Sequence, residues 1–174
     1  LFAERTDYEA VGNETVPVTK TGYDRVNAVQ PLWLRTPKTV NESEYVEFYK
    51  TAFRAYDSTL AWLHFSLDGQ VQFKSVLYVP GVLPYELSRN MFDEDYSSMK
   101  LYVKRVFIND KFAGKGEELI PRWLAFVRGI VDSDDLPLNV GREILQKSRM
   151  LAIIKRRLVK KSLDMFADIA KNVT

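Results

Sequence analysis

Arg142 stands in the run DSDDLPLNVGREILQ, residues 132–146, at a point where a helix is expected to begin. A helix N-terminus carries partial positive charge, so an acid is favoured there and an arginine has the wrong sign. Asn139 can cap that helix and leave backbone N–H groups free at its start. Helix N-termini bind anions, and an added guanidinium can grip a phosphate with two parallel hydrogen bonds. Arg142 then has the character of an arginine finger, which neutralises charge as a phosphoryl group is transferred. Gln146, four residues on, falls on the same helical face and can support the same ligand. The same spacing also allows a plain ion pair between Arg142 and Asp134 or Asp135.

Other candidate chemistry is thinner. Phe112-Ala-Gly-Lys-Gly lacks the G-x-x-x-x-G-K-[ST] frame of a phosphate-cradling loop, and no G-x-G-x-x-G is present. Counted from Asp132, a calcium loop would need glycine where Pro137 stands, although Glu143 does fall at the twelfth position. Turn chemistry, with the acids capping local amides, is the better reading of that cluster. The chain has no cysteine and one histidine, His64, which removes thiolate chemistry, most zinc sites and any triad not built on that residue. His64 itself lies in an alternating run (LAWLHFSL) and reads as a packed strand residue.

The whole chain has 174 residues and a net charge of +2 from 25 basic and 23 acidic side chains. That near balance argues against a surface that grips nucleic acid everywhere. The run KRRLVKK, 155–161, could still contact phosphates. Leu151, Ile154, Leu158, Met165 and Ile169 form an apolar stripe on the same helix, however, so a basic outer face over a core helix is the simpler reading. A nucleic-acid-binding module or a non-catalytic interaction module on that face is the alternative function. No apolar run nears the ~20 residues of a membrane span, so no membrane partner is expected. The start at Leu1 leads us to expect a piece of a longer protein.

These residues need elements to hold them. Residues 1–20 are polar and aperiodic and are expected to be a disordered linker remnant, with one domain over 21–174. A helical turn is expected before Pro31, followed by an extended piece carrying Trp33. Asn41 and Ser43 open a helix with Tyr45, Phe48, Tyr49, Ala52 and Phe53 at helical spacing. LAWLHFSLDGQVQFKSVLYVP reads as a hairpin turning at Asp68-Gly69. Residues 81–100 read as a long loop with unusual apolar content, and LYVKRVFIND as one strand. EELIPRWLAFVRGIVD is expected to be helical from Pro121, and 142–172 helical, with a break near Ser148. Trp62 and Trp123 read as core. Helices flanking apolar strands give an α/β class, a layered α-β-α sandwich around a mixed sheet with C-terminal helices.

Several of these runs resemble the heat-shock protein 90 chaperone family. PLW-R (31–35), YVEFYK (45–50), FKSVLYVP (73–80), LYVKRVFI (101–108), ELIPRWLAFVRGIVDSDDLPLN (118–139) and KRRLVKK occur in that family's order. The region resembled is the large segment of the middle domain. The resemblance implies that Arg142 reaches the γ-phosphate of ATP held by the protein's own N-terminal domain, which also binds Mg2+. Gln146 and Asn139 share that catalytic loop. No cofactor is expected on this segment alone.

The resemblance further implies client proteins and an activating co-chaperone as partners, a monomeric segment and a homodimeric full-length protein. Trp33 matches a client-contacting tryptophan. Leu83, Tyr85, Leu87, Met91 and Phe92 lie in a loop implicated in client contact. Gly141 stands where the family usually has serine. The 81–99 loop is longer than usual and lacks basic residues after the strand's proline. FKSVLYVP, that long loop and the sequons at Asn13, Asn41 and Asn172 lean towards the family's endoplasmic-reticulum branch, with the cytoplasm as the alternative.

Overall fold

The computed structural model describes four short strands in 2–25, then residues 30–89, 96, 98–109, 118–136 and 149–172. It divides into two units, Leu1–Pro31 and Leu32–Thr174. In the first, β1 (Phe2–Glu4) pairs with β4 (Tyr23–Arg25), and β2 (Asp7–Val11) with β3 (Glu14–Val18), all antiparallel. Such local pairs satisfy backbone groups without a wide apolar face, so hydrophobic periodicity does not reveal them.

The second unit opens with 3-10 turns at Leu32–Leu34 and Pro37–Thr39 and then α1 (Glu42–Phe53). The Asn41 backbone N–H donates to the Glu44 carboxylate at 2.9 Å, half of a capping box that fixes the helix start. Next come β5 (Thr59–Leu67) and β6 (Phe73–Pro80), antiparallel with Leu67 opposite Phe73. The expected hairpin is there, but its connection is residues 68–72 rather than a two-residue turn. A short α2 (Tyr85–Arg89) follows within the stretch read as a loop.

LYVKRVFIND is two strands rather than one: β7 (Met99–Val103) and β8 (Val106–Asn109), with Val103 opposite Val106. Lys104 and Arg105 between them have φ of 50° and 67°. A two-residue turn with both φ positive suits the twist of a hairpin, but Asn and Gly are its usual residues. Nothing in Lys-Arg signals it. The segment expected to be helical from Pro121 holds only a 3-10 turn at Arg122–Leu124 before β9 (Arg128–Ser133). α3 (Arg149–Asn172) is one helix, and the break expected near Ser148 lies outside the described residues.

The sheet order is β5-β6-β9-β7-β8, with β7 parallel to β9 and the other pairs antiparallel. Successive residues of a strand face opposite sides. Phe73, Leu77 and Val79 of β6 and Val131 of β9 pack with Ile154, Leu158 and Met165 of α3. Val76, Tyr78 and Ile130 pack on the other side with Tyr45 and Tyr49 of α1 and with Leu32 and Trp33. The expected α-β-α layering around a mixed sheet is borne out. A central strand covered on both faces reads as continuously apolar, which is why FVRGIVD mimics a buried helix. Gly129 marks the difference: a Cβ there would lie 2.7 Å from Leu77 Cδ2 and 2.9 Å from the Val76 carbonyl oxygen.

Candidate functional site

β9 delivers the chain to the run that contains Arg142, and its end is tied down on several sides. Asp132 is 5% exposed. Its Oδ2 accepts the Trp33 indole N–H at 2.9 Å, and its Oδ1 accepts the Arg105 backbone N–H at 3.2 Å. The Lys104 N–H donates to the Ser133 carbonyl at 3.2 Å. The strained β7–β8 turn is therefore held by the last two residues of β9. Ser133 Oγ donates to the Gln72 carbonyl at 2.7 Å, while the Gln72 N–H donates to Asp135 Oδ2 at 2.7 Å. Leu136 is buried. The acids do cap amides, but these amides lie far off in the chain and are not the local ones expected.

Asn139, Arg142 and Gln146 lie outside the described residues, as do Met91 and Phe92. Trp33 lies in the 3-10 turn Leu32–Leu34, not in an extended piece, and is only 8% exposed. Its ring packs against Tyr102 and Phe48 at centroid distances of 4.9 and 5.8 Å. The proline flanks do not expose it, because the turn directs its N–H to Asp132. Arg35 secures the same segment by reaching the Glu44 carboxylate and the Thr39 carbonyl. The Arg35 hydrogen bond, then the Asn41 N–H, hold the Glu44 carboxyl below its ordinary value.

His64 joins three elements. With its proton on Nε2 it donates to the Trp33 carbonyl at 3.3 Å, and its Nδ1 accepts from the Tyr45 hydroxyl at 2.7 Å. Burial pushes its pKa below the ordinary 6.5, and Lys74 adds to that. It is a packed strand residue with both nitrogens engaged, which matches the sequence reading.

The apolar residues after β6 separate into two kinds. Leu83 and Tyr85 are exposed, with Val82 beside them, whereas Leu87 is 1% exposed and belongs to the interior. α2 turns Leu87 inward. The Asp57 carboxylate anchors the start of this segment, accepting the Gly81 and Val82 N–H groups at 3.1 and 3.2 Å. The Tyr49 hydroxyl donates to the same carboxylate at 3.1 Å. Burial pushes the Tyr49 pKa up to about 12, opposed next by the Arg128 charge, with the Asp57 charge and hydrogen bond adding to the rise. Gly81 has no alternative here, since a Cβ would sit 2.3 Å from the Ser58 carbonyl oxygen.

Sequence reasoning missed two surface features. Trp123, read as core, is 54% exposed, because the 3-10 turn sends Leu124 inward in its place. Tyr56 and Leu60 are exposed as well. The α3 stripe follows expectation, with Ile154, Leu158 and Met165 buried and Arg156, Arg157 and Lys160 outward. Among the described residues no helix is long and apolar enough to cross a membrane.

The family model of the Hsp90 protein matches residues 3–174. The chain belongs to the Hsp90 family. It is 51% identical over 148 residues to mitochondrial heat shock protein 90-6 of Arabidopsis thaliana, covering 85% of this chain and 18% of that one. It is 48% identical over 153 residues to an endoplasmin homolog of Caenorhabditis elegans, covering 87% and 20%. The solved middle domain of a Plasmodium falciparum putative heat shock protein superposes with a TM-score of 0.69 at 48% identity, covering 82% of this chain and 52% of that chain. The chain is thus an Hsp90 middle-domain segment, spanning about a fifth of the length of its curated relatives.

Proposed function

We propose that this segment supplies Arg142 to the γ-phosphate of an ATP held, with its Mg2+, by the N-terminal domain of the same protein. Asn139 and Gln146 support that phosphate contact. The observation that carries this reading is the bracing of Asp132, Ser133 and Asp135. A group that must meet a phosphate in another domain needs a fixed base, and the run leading to Arg142 begins from one. Stabilising charge that develops only in the transition state raises turnover without tightening substrate binding.

The test is Arg142→Ala in the full-length protein. We expect kcat to fall at least about a hundredfold while nucleotide affinity changes little, the pattern of a lost transition-state contact. An unchanged kcat would overturn the reading and favour an ion pair with Asp134 or Asp135. Clients dock on the exposed Val82, Leu83 and Tyr85, held in place by Asp57. An activating co-chaperone and the second protomer of a homodimer complete the partners. Endoplasmin homologues among the relatives and the sequons support the endoplasmic-reticulum lumen as the compartment, beside relatives named as chloroplastic and mitochondrial. Native protein recovered from a plastid or mitochondrion instead would refute that placement.

A further inference from the structure

Asp132 is a nearly buried carboxylate whose two oxygens serve donors from two distant parts of the chain. Oδ2 takes the indole N–H of Trp33, 99 residues away, and Oδ1 takes the backbone N–H of Arg105, 27 residues away. Buried charge is costly unless its hydrogen-bonding capacity is used, and both donors here use it. The shallow polar cleft beside it is lined by both signs of charge, Lys74 and Arg105 with Asp68 and Asp134. The Trp33 backbone is held separately by His64 Nε2 at 3.3 Å. Nine residues separate Asp132 from Arg142.

We infer that Asp132 is a positioning residue for the Arg142 reaction, tying the Trp33 turn and the β7–β8 turn to the strand end from which the catalytic run departs. This inference rests on the proposed role of Arg142. The two donors converge on a single side chain, so displacing either one moves the carboxylate and the end of β9 with it. Movement of Trp33 is thereby converted into a shift at the base of the catalytic run. An asparagine in this place fits the space but cannot serve both donors. Its carbonyl accepts one N–H, and its NH2 faces the other, leaving a buried donor unpaired.

The experiment compares Asp132→Asn, Trp33→Phe, the double variant and Arg142→Ala in the full-length protein. ATP turnover, KM and the thermal midpoint are read for each. We expect Asp132→Asn to lower kcat on the order of tenfold with KM unchanged, and Trp33→Phe to lower it on the order of threefold. The double variant should be no slower than Asp132→Asn alone, because both remove the same link. The Trp33 indole N–H resonance should move upfield in Asp132→Asn. Unaltered kcat in Asp132→Asn beside a disabled Arg142→Ala overturns this inference and leaves the catalytic reading standing. Multiplicative losses in the double variant also overturn it. A silent Arg142→Ala removes the catalytic reading, and this inference with it. If Asp132→Asn shows no folding transition, Trp33→Phe decides: it keeps an aromatic ring while losing the N–H donor and part of the packing on Tyr102 and Phe48, so an unchanged kcat overturns the link.

Discussion

Tyr78 is fully buried between the sheet and α1, packed against Tyr49 and Phe53 at centroid distances of 5.3 and 6.0 Å. Among the described residues its hydroxyl has no hydrogen-bond partner. A buried polar group left unpaired costs about 1–3 kcal/mol, and Tyr78→Phe removes that group while keeping the ring. The variant leaves a small void in exchange. Even a void of about 15 Å3, room for one water-sized sphere, costs only about 0.4 kcal/mol at about 24 cal/mol per Å3. The first effect wins. Tyr78→Phe should stabilise this chain by about 1–2 kcal/mol, with the midpoint of thermal unfolding raised by about 2–4 °C per kcal/mol.

Urea unfolding at pH 7 measures the difference, provided the slope against denaturant is the same in both proteins. Alkaline pH gives a second reading. Burial raises the pKa of Tyr78, and likewise of Tyr49 and Tyr45. A raised folded value means stability is fully present below the ordinary pKa of 10 and lost as pH climbs through the folded value. Tyr78→Phe removes one of the three phenols, so its alkaline loss should be shallower. A lower urea midpoint in the variant would refute the reasoning, for it would mean that the hydroxyl has a partner after all.

Two further outcomes follow from the same packing. His64 has a folded pKa below 6.5, so the unfolded chain takes its proton first, and stability should fall as pH drops from 6.5 to the folded value. Urea midpoints between pH 5 and 8 should show that limb in the parent and a flattened one in His64→Gln; an identical limb in both would exclude His64 as its source. Glu44, held low by Arg35, acts separately, its stability present above 4.5 and lost as pH falls through its depressed value. Gly129→Ala should destabilise by about 1–3 kcal/mol through overpacking against Leu77 and the Val76 carbonyl, visible as a lower thermal midpoint. An unchanged midpoint would show that β6 can give way.

What was legible in the sequence was what local rules govern. The helix starting after Asn41, the β5–β6 hairpin and the apolar stripe of α3 each carry their pattern within a dozen residues. β9 was not legible, because a strand covered on both faces has no alternation and its preceding 3-10 turn supplies false helical spacing. The β7–β8 turn was hidden for a different reason. Lys104 and Arg105 adopt a conformation their side chains disfavour, and what holds them there, the Ser133 carbonyl and the Asp132 carboxylate, comes from another strand.

The same contrast separates the two parts of the candidate site. Arg142 drew attention because it breaks a local electrostatic rule, and a residue that breaks one without local compensation points to a partner elsewhere. Asp132 breaks none. An acid in a turn-rich run has a ready local use as a cap, so nothing in DSDD shows that its first member serves donors on two other elements. Only the fold distinguishes the acid that caps from the acid that couples. The consequence is physical as well as interpretive. If the run to Arg142 were braced by local caps alone, it would be indifferent to Trp33 and to the β7–β8 turn. Because the brace is long-range, Trp33 and the β7–β8 turn meet the end of β9 at one carboxylate, which is the premise that Asp132→Asn tests.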